Sequence, residues 1–172
     1  MNYKIIKVLG ILSIVFLSAC TNENQMPEPL KVATQISEKV NVADLWQAKD
    51  INLITDADFK KKVEYGKELV AHTAKYLGPN GSVKQLSNGL NCQNCHLEAG
   101  TKAFGNNYGS VASMYPKYRN RSGTVENVTK RINDCFERSL NGEPLDTLSA
   151  EMLAMKAYIT YIGSDVEKGK NT

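Results

Sequence analysis

Cys92-Gln93-Asn94-Cys95-His96 is the stretch on which the reading of this chain turns. Two thiols three positions apart can each add across a vinyl group of a haem, and a histidine directly after the second reaches the iron. C-x-x-C-H therefore predicts covalent attachment of a c-type haem, with His96 as the proximal iron ligand. Paired cysteines have two other common uses. A thioredoxin-like redox pair requires a βαβ pattern around the motif, and a zinc site requires a second ligand pair. The 172 residues, with 4 cysteines and 2 histidines, supply neither. No second C-x-x-C-H and no internal repeat occurs, so the expectation is one covalent haem c.

Haem is attached to such motifs outside the cytoplasm, and the N-terminus agrees. Lys4 and Lys7 precede an apolar run, Val8 to Leu17, which is too short to remain in a bilayer as a spanning helix and reads as an export signal. Leu17-Ser18-Ala19-Cys20 has the form of a bacterial lipobox, which makes Cys20 the lipidated first residue of the mature chain. The expected order is a lipoprotein signal peptide over 1–19, a lipidated N-terminus and flexible tether over 20–50, a mono-haem domain over 51–163 and a polar tail over 164–172. Pro27 and Pro29 lie in the tether, and Trp46 closes it as the first candidate for packing. The expected location is a bacterial membrane surface, facing the periplasm or the cell exterior.

Removing the signal also changes the charge. The chain has 21 basic and 18 acidic residues; without Lys4 and Lys7, 19 bases face 18 acids, a net of +1. No basic block with interleaved aromatics is present, which sets nucleic acid aside as a partner.

Beyond the tether, Phe59, Val63, Gly66, Val70, Thr73 and Leu77 step by three and four, predicting one helix from a cap at Asp56 or Asp58 to the stop at Gly78-Pro79-Asn80-Gly81. Gly66 inside that stripe calls for close contact with another helix, and His72 lies off it, on the surface. The stretch from His96 to Arg121 reads as mostly irregular, with Tyr108, Met114, Tyr115 and Tyr118 available to pack on a flat cofactor. A second helix is expected from Ser122 or Thr124 to Asn141-Gly142, with Val125, Val128, Ile132, Cys135 and Phe136 along one side. Arg131 lies about 40° around from Cys135. A third runs from Ser149 to Ile162 with Met152, Met155, Ile159 and Ile162 as core, followed by a frayed tail. The fold class is all-α: a class I c-type cytochrome, a few helices wrapped around one covalent haem.

The sixth ligand separates an electron carrier from a reaction centre. The loop Asn141–Leu148 before the last helix, the usual place for a ligating methionine, holds none. Cys135 is the favoured ligand because it lies on an apolar helix face, and Arg131 close by favours a thiolate. Met114 competes with it, and an inert buried thiol is the alternative for Cys135.

Asn88 to Asn91, Leu97 to Thr101, Tyr115 to Gly123 and Arg131 to Ser139 together resemble the first haem domain of bacterial thiosulfate dehydrogenases, which are similar in turn to the Sox sulfur-oxidising cytochromes. The resemblance runs from about Tyr65 to Ile162. It implies His/Cys ligation with the cysteine at Cys135, two arginines near the active haem at Arg121 and Arg131, and reversible joining of two thiosulfates into tetrathionate with release of two electrons. The family's second haem domain has no counterpart after Ile162.

Two functions are thus expected. The first is electron transfer by a membrane-anchored mono-haem c-type cytochrome among exported redox partner proteins. The alternative is a thiosulfate dehydrogenase or tetrathionate reductase-like enzyme, or its haem subunit, with thiosulfate or tetrathionate as substrate.

Overall fold

The computed structural model describes residues 45–172; the export signal, Cys20 and the tether up to residue 44 lie outside the described residues. The first long helix, α1 (Ala57–Ala71), starts where the sequence places it: the Asp56 carboxylate accepts from the Asp58 and Phe59 amides at 2.9 and 3.0 Å. Val63, Gly66, Leu69 and Val70 are its buried face.

The single helix expected through Leu77 is interrupted. His72 leaves helical geometry at φ −128°, ψ 43°, and the chain resumes as α2 (Thr73–Leu77). No proline or glycine causes the break. Thr73 sits at it, fully buried, with its hydroxyl donating to the Leu69 carbonyl at 2.7 Å and accepting the Cys92 amide at 2.9 Å. Asn91 accepts the Ala74 amide at 2.8 Å, satisfying a helix-terminal donor from outside the helix. Tertiary bonds to the C-x-x-C-H segment thus set the position of the break.

The last helix, α5 (Ala150–Tyr161), starts at the Ser149 cap and packs along α1. Met152, Ala154, Met155, Tyr158 and Ile159 are buried, as the spacing of the methionines and isoleucines predicts. Gly66 marks the closest approach. A Cβ there would lie 2.0 Å from the Ala154 carbonyl oxygen and 2.7 Å from Tyr158 Cβ, so the two backbones touch where only hydrogen fits.

Between these helices lie a short helix α3 (Val111–Met114) and a two-stranded antiparallel hairpin, β1 (Lys117–Arg119) and β2 (Thr124–Glu126), with Tyr118 opposite Val125. The helix expected from Ser122 or Thr124 starts later, as α4 (Val128–Arg138). Gly123, at φ +65°, turns the chain back on itself, and Asn127 rather than Ser122 caps the helix, accepting the Lys130 amide at 2.8 Å. The hairpin is a small addition to a helical fold. Val128, Ile132 and Phe136 are buried on α4. Asn133 is buried too, and its amide exchanges two hydrogen bonds with the Leu145 backbone, at 2.9 and 3.0 Å, which pins the loop between α4 and α5.

Two boundaries differ from expectation. Trp46 packs against the core, as the sequence suggests, and with Ala48 and the Lys49 amide, which donates to the Ile162 carbonyl at 3.0 Å, it starts the folded unit a few residues before the boundary expected at residue 51. The tail expected to fray is docked on α3: Ser113 Oγ donates to the Lys170 carbonyl at 2.6 Å, the Gly169 amide to the Ser113 carbonyl at 3.1 Å, and Lys168 Nζ to the Tyr115 carbonyl at 2.6 Å. Among the described residues no helix is long and apolar enough to cross a membrane.

Candidate functional site

The C-x-x-C-H turn, α4, α5 and β1 converge on one cleft of about 270 Å³. Cys92, Cys95 and His96 line it from the motif, Arg131 and Cys135 from α4, and Arg119 from β1. Val128, Ile132, Phe136, Met155 and Ile159 give it apolar walls.

The motif is built around its first cysteine. Residues Cys92–Asn94 form a 3-10 turn, closed by Asn94 accepting the Asn91 amide at 2.6 Å. Thr73, placed at the break in the helix, holds the Cys92 amide and sets its hydroxyl oxygen 3.2 Å from Cys92 Sγ. Burial pushes the Cys92 thiol up to about 11, with the Thr73 contact opposing it, so it is neutral near pH 7. Cys95 is exposed at the cleft rim, and Cys92, Cys95 and Cys135 are all free thiols.

His96 is held by the loop that follows it. Its Nδ1 lies 2.6 Å from the Asn106 carbonyl, an acceptor only, so Nδ1 carries the proton and Nε2 keeps a free lone pair. Burial lowers the imidazole pKa, the Asn106 bond opposes, and the Arg131 charge lowers it further; the ring is neutral, as a metal ligand must be. Tyr108 stacks on it with ring centroids 4.3 Å apart and planes 28° from parallel.

Cys135 is half-buried on α4. Burial raises its thiol pKa; the guanidiniums of Arg131 and Arg119 pull it down, while Asp134 and Cys95 push it up. Asp134 is itself engaged. Burial would raise its carboxyl, but the hydrogen bond and charge of Lys130 outweigh this and hold it below the usual range. Arg131 is the largest charge acting on Cys135 and Arg119 a small one, and burial with Asp134 and Cys95 leaves the thiol above its usual range.

The structure thus brings together Cys92, Cys95, His96, Cys135 and Arg131. It does not bring Arg121, which is exposed beyond the end of β1, nor Met114, which lies on α3 and does not line the cleft. Arg119 takes the place expected of Arg121. Strand alternation from Lys117 could have found it, since residues 117 and 119 share one face, but a three-residue strand leaves little alternation to read. Tyr108 and Tyr115 line the cleft; Tyr118 is 58% exposed on the other face of the hairpin. His72 is exposed, as expected.

The donor set fits a c-type haem. Two free thiols at C-x-x-C spacing and a neutral histidine with Nε2 unblocked share one apolar cleft with a third thiol on another element. A helical fold carrying that donor set defines a c-type cytochrome domain. Residues 82–167 match the model of the family described as SoxA/TsdA, cytochrome c domain, and the chain belongs to that family. It is 39% identical over 120 residues to a thiosulfate dehydrogenase of Psychrobacter arcticus, covering 70% of this chain and 35% of that protein. It is 32% identical over 108 residues to a thiosulfate dehydrogenase of Stutzerimonas stutzeri, covering 63% of this chain and 34% of that one. Among solved structures, the thiosulfate dehydrogenase (TsdBA) from Marichromatium purpuratum shares the fold, with a TM-score of 0.66 at 22% identity over 74% of this chain and 28% of that chain. The chain spans about a third of the length of these two curated relatives.

Proposed function

We propose that this chain is the haem domain of a thiosulfate dehydrogenase-like activity, with one haem c joined through Cys92 and Cys95 and with His96 and Cys135 on the iron. The observation that carries this reading is the cleft itself: Cys135 shares it with the C-x-x-C-H motif, flanked by guanidiniums from α4 and from β1. Two thiosulfate dianions repel one another as they approach. Arg131 and Arg119 supply paired donors and positive charge, and the apolar walls strengthen both by excluding water. Joining two thiosulfates forms one sulfur–sulfur bond and releases two electrons, with no proton transferred. The haem, when bound, supplies a one-electron acceptor; the electrons leave one after the other to an exported redox partner protein. Run backwards, tetrathionate takes up two electrons and is cleaved.

The test uses haem-loaded protein beginning at Thr21, with thiosulfate and ferricyanide in one direction and tetrathionate and a reduced viologen in the other. Arg131→Ala and Arg119→Ala are each expected to lower kcat/KM for thiosulfate by roughly tenfold or more, the loss of one charge-assisted bond. Arg121→Ala is expected to stay within about twofold, as is usual for an exposed charge. No turnover in either direction by protein that dithionite reduces normally rejects the enzyme reading. The one C-x-x-C-H motif then supports the second reading, a mono-haem carrier passing single electrons among exported partners.

The export signal and the Leu17–Cys20 lipobox support attachment to a bacterial membrane through lipid on Cys20, facing the periplasm or the exterior. Cells fed labelled palmitate should label the wild-type chain and not Cys20→Ala; an unlabelled wild type rejects the anchor.

A further inference from the structure

The loop after His96 is built in an unusual way. Glu98, Ala99 and Gly100 follow one another in the left-handed region, at φ 55°, 54° and 84°. Residues with a side chain take up that conformation only where their surroundings hold them in it. Here the holding is done by the Gly100 amide on the His96 carbonyl at 2.8 Å, the Leu97 amide on the Gly105 carbonyl at 3.0 Å, and the buried Tyr158 hydroxyl on the Ala99 carbonyl at 2.9 Å.

The result of this strained turn is the placement of one ring. The Tyr108 amide donates to the Gly100 carbonyl at 2.9 Å, and Tyr108 is pressed against Gly100 so closely that a Cβ there would lie 2.1 Å from its Cδ2. The same ring stacks on the His96 imidazole, with centroids 4.3 Å apart. The Asn106 carbonyl fixes which nitrogen of His96 carries the proton, but a single hydrogen bond at one ring atom leaves the plane free to rock about that bond. A second contact across the ring face removes that freedom.

We propose that Tyr108 is a positioning residue for His96: backed by Gly100, its ring fixes the plane of the imidazole and so the orientation in which Nε2 meets the haem iron. The proposal rests on His96 being an iron ligand. Orientation of a ligating imidazole is set by its surroundings and is read in the electronic structure of the metal.

The test is electron paramagnetic resonance of the ferric, haem-loaded chain, with haem content measured alongside. The wild type is expected to give one low-spin signal, and Tyr108→Phe, which keeps the ring face, is expected to reproduce it. Tyr108→Leu should shift its principal g values or split it into two or more signals, one for each imidazole setting. Gly100→Ala drives a methyl group into Tyr108 without altering either ring and should do the same. It decides the matter where Tyr108→Leu takes up no haem. Signals in both variants that superimpose on the wild type overturn the proposal, as does a changed signal in Tyr108→Phe. A high-spin wild-type signal would instead reject Cys135 as sixth ligand, a failure of the proposed function; the same variants are then compared with the wild type through that signal, and superimposing spectra again overturn the proposal.

Discussion

Replacing Cys135 by methionine in the haem-loaded chain is expected to raise the reduction potential by roughly 100 mV or more, within the span of about 0.8 V over which axial ligands tune haem iron. Charge sets the direction. A thiolate is an anionic, soft donor that stabilises ferric iron, whereas a thioether is neutral and favours the ferrous state. Cys135 lies half-buried with Arg131 as its main favourable charge and Arg119 as a smaller one; burial holds the free thiol above its usual range, so a thiolate there would rely on the iron for the rest of its compensation. Thiosulfate turnover is expected to fall with the rise in potential, because the positive field is tuned to a site that already carries one negative charge. Redox titration and the near-infrared spectrum check both parts. The wild type should lack the charge-transfer band of methionine ligation and the variant should gain it. Identical potentials and spectra would mean that Cys135 is an inert thiol and that iron finds another ligand.

The other large effect is structural. Gly66→Ala is expected to destabilise the domain by about 3 kcal/mol, lowering the midpoint of thermal unfolding by roughly 10 °C. The new methyl group would sit 2.0 Å from the Ala154 carbonyl oxygen, and neither partner is a flexible side chain that can swing aside; both are helix backbone. The α1–α5 pair must separate along its length. Gly89 supplies the control. It lies in the loop before the motif with nothing within 4 Å of its would-be Cβ, so Gly89→Ala should change stability by no more than about 0.5 kcal/mol. Calorimetry on both variants separates the contact from the general effect of losing a glycine. Equal midpoints would show that α1 and α5 can shift apart at no cost.

What the sequence made legible was whatever depends on local spacing. Asp56 and Ser149 cap the helices they were expected to cap, because capping is a bond to an amide two or three residues on. Met152 and Met155 are core because helical periodicity put them there, and Gly66 is a contact point because nothing local explains a glycine in an apolar stripe. What the sequence hid depends on partners far along the chain. The interruption at His72 has no local signal; its cause is Thr73 meeting Cys92, 19 positions later. The docked tail reads as polar, and its order comes from carbonyls and hydroxyls of α3 that no periodic pattern announces. The site shows the same division. Cys92, Cys95 and His96 form a motif and were legible, whereas the presence of Arg119 rather than Arg121 in the cleft follows from a turn at Gly123 that reassigns a helix start to a hairpin.

The contact between α1 and α5 also has a bearing on the order in which the domain folds. Tyr65 and Glu151, bonded across that interface, are 86 positions apart, and the C-x-x-C-H segment lies inside the loop they close. Bringing the ends of so long a loop together costs about 4 kcal/mol of chain entropy before any contact is made. Local turns around Cys92 therefore have time to form while the last helix is still undocked. Until α5 docks, Met155 and Ile159 do not wall the cleft that holds Cys135. The glycine that makes the closed state so tight thus sits on the seam whose closure completes the cleft.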